Sequence, residues 1–263
     1  MNRSHSPRRV VSLQPSATVI LEAIGQLDCV IACTRYCVDV CPEVETGRTI
    51  VDDSWTADAT EIIAAKPDLV IAAVPYQEKS ISEILKSGAR FLGLAPKTLS
   101  DIYTDIVAIA GIVGVPKRGE EAVSAMQAEI DRIHAQAAGL PRLHVFCEEW
   151  PKPLIASQVW VAELVEVAGG SFVGVPGVQT TADSVAAADP DVLIAAWCGA
   201  GDRVPLEKIV RGRAWTNLRA VREGRVHCIR AAAIHPERFP HAPGLRCITD
   251  VTREPSPPGA PVV

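Results

Sequence analysis

ATEIIAAKPDLVIAA occupies Ala59–Ala73, and ADSVAAADPDVLIAA occupies Ala182–Ala196, at a constant offset of 123 residues. Eight of the fifteen positions are identical, and Ile62/Val185, Leu69/Val192 and Val70/Leu193 are conservative pairs. Each copy reads as a short Ala-rich helix, a Pro-Asp stop and a continuous apolar run. Proline has no N–H with which to extend a helix, and it disfavours helical geometry in the residue before it. The run that follows lacks polar alternation, so it suits a strand buried on both faces of a parallel sheet. Two such units imply an α/β protein of two similar Rossmann-like lobes, with a ligand cleft between them as the expected seat of function.

Working outward, Arg9–Leu13 reads as the first strand, followed by a helix opened at Pro15 and stopped by Gly25. Val30–Cys33 is a second strand, and Thr34–Asp53 reads as irregular. Ser80–Ser87 and Arg90–Leu94 complete the lobe as helix and strand. Lys117–Ala138 has Ala122, Ala125, Met126, Ile130 and Ile133 on one stripe. At 1.5 Å per residue it makes a helix of about 30 Å, long enough to bridge two lobes. Leu143–Cys147, Val159–Val167 and Arg225–Ile229 then repeat the strand and helix pattern. The expected boundaries are an N-terminal lobe over 8–98, a bridging helical segment over 99–139, a C-terminal lobe over 140–240 and a Pro-rich tail over 241–263.

Composition narrows the function. Of 263 residues, 48% are hydrophobic and 22% charged, with a net charge of −5. The basic residues are scattered, which argues against a nucleic-acid partner. No apolar stretch reaches the roughly 20 residues of a membrane span. The first apolar run, Val10–Leu13, is shorter than the 7–15 residues of a secretory h-region. Eight cysteines in a chain of this length suit a reducing compartment. The expected location is therefore cytoplasmic, with a periplasmic or other extracytoplasmic site as the alternative if a signal has been removed.

Ligands of open α/β sheets bind beyond the carboxyl ends of the strands. Those ends carry Tyr36, Tyr76, Gln77, Trp150 and Trp197, and Trp55 lies just before the first repeat. Aromatics are only 5% of the chain, so this placement points to broad apolar walls for a flat macrocycle such as a corrin or porphyrin. Cys37, Cys147 and Cys198 also fall at strand ends, and thiolates there would suit a thiophilic metal or cluster. Glu148-Glu149 is a carboxylate pair, but neighbouring strand residues face opposite ways. There is no GxSxG elbow and no P-loop. The expected function is non-catalytic binding; the alternative is an enzyme with a Cys-ligated metal or cluster.

RVVSLQPSATVILEAIG at 9–25, KPDLVI at 66–71, the single bridging helix and GRVHCI at 224–229 resemble the periplasmic-binding-protein-like receptors of iron chelates and cobalamin. CTRYC, DDSW, VPYQ, FCEEW and WCGAGDR are similar to signal-less members of the vitamin B12-binding group. The resemblance spans about residues 8–230. It implies binding of cobalamin, another corrinoid or a related small-molecule metal chelate, without catalysis. It also implies an ABC permease as partner, docked through one exposed carboxylate on each lobe, whose positional counterparts are Glu78 and Glu207. Family members close the second lobe with a loop and a long helix; here Arg230 runs directly into Ala231–Pro236, as though both were missing.

Overall fold

The computed structural model describes residues 6–52, 58–73, 78–197 and 203–229. They form two compact units. The first holds the described residues through Pro96 together with Ser100–Met126, and the second holds Lys97–Leu99 and the described residues from Gln127 onward. The division falls inside the long helix, between Met126 and Gln127.

In the first unit the elements are β1 (Val10–Ser12), α1 (Pro15–Ala23), β2 (Val30–Thr34), α2 (Arg35–Val40), β3 (Thr49–Val51), α3 (Ala59–Ala64), β4 (Leu69–Ala73), α4 (Glu78–Lys86), β5 (Arg90–Leu94), α5 (Leu99–Ile112) and the first turns of α6 (Pro116–Ala137). The sheet order is β3-β2-β1-β4-β5, and every pairing is parallel. Winding therefore reverses at β1/β4. The apolar repeat is the reason β4 sits centrally, because all five of its residues are buried. Val11, Ala32, Val70 and Ala72 form a core with Ile62 of α3 and Ile84 of α4. α6 lies close on α5: a Cβ at Gly119 would come within 2.5 Å of the Ala110 Cβ, so no larger residue fits there without a shift.

The stretch expected to be irregular, Thr34–Asp53, contains α2 and β3. Six residues are too few to display helical periodicity, but the start of α2 is marked chemically. The Thr34 hydroxyl accepts from the Cys37 N–H at 3.3 Å, as a helix N-cap does.

The second unit contains β6 (His144–Pro151), β7 (Leu154–Ala156), α7 (Val159–Val167), β8 (Ser171–Phe172), α8 (Ala182–Ala188), β9 (Val192–Ala195), α9 (Leu206–Gly212), α10 (Arg219–Arg222) and β10 (Val226–Cys228). Its sheet order is β10-β9-β6-β7, with β8 also paired to β6. All pairings are parallel except the β6–β7 hairpin, which the sequence pattern did not announce. Phe146, Leu193, Val185, Val210 and Trp215 make its core. The sequence expectations for Arg230–Pro236 and for the 241–263 tail lie outside the described residues.

The repeat has one structural role in both units. The Asp68 carboxylate accepts from the Arg8 and Arg9 N–H groups at 2.9 and 3.0 Å, while its own N–H donates to the Arg9 carbonyl at 2.9 Å. The Asp191 carboxylate accepts from the His144 N–H at 2.8 Å, and its N–H donates to the His144 carbonyl at 2.8 Å. Each Asp thus clamps the head of the strand at the centre of its sheet. Lys66 and Asp189, one position before the Pro in each copy, both take left-handed backbone, with φ of 52° and 40°. That turn redirects the chain from helix to strand.

Asp191 also pairs with Arg219 at 2.6 Å. Burial pushes its carboxyl pKa up, but the His144 N–H and the Arg219 guanidinium outweigh this and hold it below the ordinary value. A depressed pKa contributes stability that is complete above the unfolded value, about 3.9, and is lost as pH falls through the folded value. Asp191→Asn is expected to cost about 1.5–3 kcal/mol at pH 7, the usual range for hydrogen bonds to a charged group. Urea titrations at pH 7 and pH 3 check this, and the variant should show a smaller drop between them than wild type.

Candidate functional site

Parallel strands fix which end of each unit can carry a ligand, because their carboxyl ends all face one way. In the first unit that end begins at Ser12, where β1 stops. The Thr18 hydroxyl donates to Ser12 Oγ at 2.9 Å, and Ser12 Oγ donates to the Gln14 carbonyl at 3.1 Å. Ser12 and Thr18 are both fully buried, so this polar floor is satisfied internally. Tyr36 projects from the first turn of α2 and is 45% exposed. Tyr76 and Gln77, which follow β4 in sequence, and Trp55 lie outside the described residues.

Cys37 sits beneath this end with no solvent exposure. Its sulfur is 3.3 Å from Thr34 Oγ1 and 3.6 Å from the Ser12 carbonyl. The hydrogen bond from Cys33 lowers its pKa, burial opposes this, and Thr18 and Thr34 assist, so Cys37 is the more acidic thiol of the pair. Cys147, in β6, is also fully buried, and desolvation pushes its thiol up to about 12. Cys147 therefore lies in an apolar setting, inside the sheet of the second unit. Cys198, the third residue of the expected metal set, lies outside the described residues. Among the described residues the one group of three potential ligands that converges is Glu22, Cys41 and Glu43, within 4.8 Å of one another. The Cys41 thiol there donates to Glu43 Oε2 at 3.4 Å. Burial and the two carboxylates push that thiol up to about 12.

In the second unit the carboxyl end of β9 carries Trp197, and the adjacent part of β6 carries Glu148. The alternation expected for Glu148-Glu149 holds. Glu148 is buried, at 2% exposure, whereas Glu149 is half-buried and accepts from Gln158 Nε2 at 2.8 Å. The Glu148 carboxylate takes three donors. Trp197 Nε1 donates to Oε1 at 2.9 Å, Arg213 Nη2 donates to Oε1 at 2.8 Å, and Arg213 Nη1 donates to Oε2. The Arg213 guanidinium in turn lies 4.8 Å over the Trp215 ring. Trp215 is anchored by its own N–H to the Ala182 carbonyl at 3.1 Å and meets Phe146 edge-on. Trp150 is 38% exposed, near the end of β6 and paired with Ile155 of β7, with its N–H on the Lys152 carbonyl at 3.1 Å.

Sequence reasoning named Trp197 and did not name Arg213. The available signal was chemical: a carboxylate facing inward from the apolar strand HVFCEEW requires a buried cation. Arg213, two residues from a core tryptophan, supplies it. The expected docking residues occupy equivalent places. Glu78 opens α4, the helix after β4, and Glu207 lies in the first turn of α9, the helix after β9. Both are exposed, and Glu207 pairs with Arg211 at 3.6 Å.

Residues 10–233 match the family described as periplasmic binding protein, and the chain belongs to that family. An ABC transporter substrate-binding lipoprotein of Bacillus subtilis, YvrC, is 26% identical over 235 residues, which is 84% of this chain and 72% of that protein. The vitamin B12-binding protein of Pectobacterium atrosepticum is 29% identical over 214 residues, covering 75% of this chain and 74% of the relative. Among solved structures, the periplasmic haem-binding protein RhuT of Roseiflexus has a TM-score of 0.79 at 20% identity, over 93% of this chain and 96% of that one. This is a substrate-binding protein and not an enzyme; neither family nor relatives support a metal-dependent catalyst. The cytoplasmic expectation finds no support among relatives described as lipoprotein or periplasmic.

Removing the Glu148 carboxylate leaves Arg213 buried without its counter-ion. Glu148→Ala is therefore expected to cost about 3–5 kcal/mol, the range for breaking a buried ion pair. Glu149→Ala should cost less, about 1 kcal/mol, since this carboxylate is half-buried and partly solvated. Paired urea denaturation curves check the contrast.

Proposed function

We propose that this chain captures a corrinoid, or a metal chelate of similar flat shape, outside the cytoplasm and delivers it to an ABC permease. The observation that carries the reading is Trp197: a half-buried indole at the carboxyl end of β9 whose N–H is already used by Glu148. Such a ring offers an apolar face and no hydrogen bond, which suits a macrocycle better than a small polar solute. The sequence relatives named as vitamin B12-binding proteins support the corrinoid class. Tyr36 and Trp150 are exposed aromatics available for the same role, and Trp55, Tyr76 and Gln77 join them on the sequence argument alone.

Purified protein mixed with cyanocobalamin and desalted is expected to retain the corrinoid absorbance. Haemin in a parallel sample tests the porphyrin class, and retention of neither overturns the reading. Each stacking contact is worth about 0.5–1.5 kcal/mol beyond its area. Replacing Trp197 and either Trp55 or Tyr76 by Ala should therefore weaken binding at least about tenfold, a difference of about 1.4 kcal/mol. Some fall in melting temperature is expected from Trp197, which packs on Val204 and Leu206; normal affinity in the folded variants would make these core residues.

The permease contact is proposed at Glu78 and Glu207. Their support is topological, since each lies in the first turn of the helix that follows the repeated strand. Glu78→Lys with Glu207→Lys should leave cyanocobalamin affinity unchanged and abolish receptor-stimulated ATP hydrolysis by the cognate permease in proteoliposomes. Undiminished stimulation would show that these are ordinary solvated glutamates.

A further inference from the structure

We infer that Glu148 is a positioning residue for the ligand wall: it holds Trp197 by the indole N–H, so that only the carbon face of the ring is left for a ligand. The inference rests on Trp197 being a wall of the binding site, as proposed above. A half-buried indole at a strand end has two ways to satisfy its N–H. It can turn outward to water or ligand, or it can be held inward by a fixed acceptor. Here the acceptor is fixed on every side. Oε1 receives both Trp197 Nε1, at 2.9 Å, and Arg213 Nη2, at 2.8 Å. Arg213 cannot swing away without losing the second carboxylate oxygen and the Trp215 face beneath it. Trp215 is itself tied to the Ala182 carbonyl. A chain of contacts therefore runs from the core of the second unit to the orientation of one half-buried ring.

Stability alone is a weak reason for this arrangement, because apolar residues of similar volume often replace a buried ion pair at no cost. What an apolar pair cannot supply is an acceptor at one point in space. The consequence is selectivity by chemical class. Trp197 presents nothing that would recognise an anionic oxygen, such as that of a catecholate chelate, and everything that an apolar macrocycle face requires.

A double-mutant cycle with cyanocobalamin as the probe tests this. Glu148→Leu with Arg213→Met removes the acceptor and its cation together while keeping the volume apolar. Trp197→Phe keeps a ring but has no N–H to hold. With Trp197 intact, the Leu/Met pair is expected to cost about tenfold in affinity, about 1.4 kcal/mol, with the melting temperature preserved. Combined with Trp197→Phe, the same pair should cost no more than about twofold, because Glu148 then has no indole to position. Equal losses in both backgrounds, or none in either, overturn the inference. Should the Leu/Met protein fail to fold, Arg213→Met combined with Glu148→Gln and Arg213→Met combined with Glu148→Met make the comparison. Neither leaves a buried charge unpaired, but only the amide oxygen still accepts from the indole, so equal affinities would again overturn it. Wild-type protein that retains neither cyanocobalamin nor haemin overturns the ligand reading itself, and the inference with it. Wild-type binding with equal losses removes the inference alone.

Discussion

The structure depends on a carboxylate placed at the head of a central strand. In each unit an Asp that follows Pro exchanges two kinds of hydrogen bond with the residue at, or immediately before, the start of the first strand. Its N–H bonds that residue's carbonyl, and its side chain bonds that residue's N–H. The partners are separated by 59 residues in one unit and 47 in the other. The exchange fixes which strand lies beside which, and the apolar run after the Asp enters the sheet in one register: Val10 opposite Leu69, and Val145 opposite Val192. A slip of one residue would turn every side chain of the run to the other face. Because both faces are buried, the apolar pattern tolerates such a slip better than an alternating one would. The polar clamp supplies the specificity that the pattern lacks.

This explains why the fold was legible where it was. Pro67-Asp68 and Pro190-Asp191 announce themselves, since proline ends the helix and the short apolar run that follows suits a buried strand. α2 was not legible: RYCVDV is too short to show a period, and its one marker is the capping Thr34. The β6–β7 hairpin was hidden for a different reason. FCEEW reads as the end of a parallel strand, whereas the chain turns back at Pro151–Leu154 and pairs antiparallel.

The candidate site was legible in position and illegible in chemistry. Strand direction alone puts Trp197 at the carboxyl end of β9, with no knowledge of its neighbours. Whether its N–H faces ligand or protein depends on Glu148, 49 residues away, and on Arg213, 65 residues from Glu148. No local pattern encodes such a triad. What the sequence does offer is an accounting problem, a carboxylate directed into an apolar sheet, and the rule that buried charges are paired makes a cation obligatory. The cysteines pose the opposite case. Their placement near strand ends suggested ligands; Cys37 and Cys147 are both buried, and Cys198, the third of the set, lies outside the described residues.

The division of the chain inside α6 bears on how the protein is made. Completion of the first unit requires Ser100–Met126, so it waits for the opening turns of a helix whose remaining turns belong to the second. Starting a helix is the unfavourable step, because several residues must be fixed before the first hydrogen bond returns anything, while each later residue adds a bond of its own. One nucleation event in α6 therefore serves turns that belong to both units.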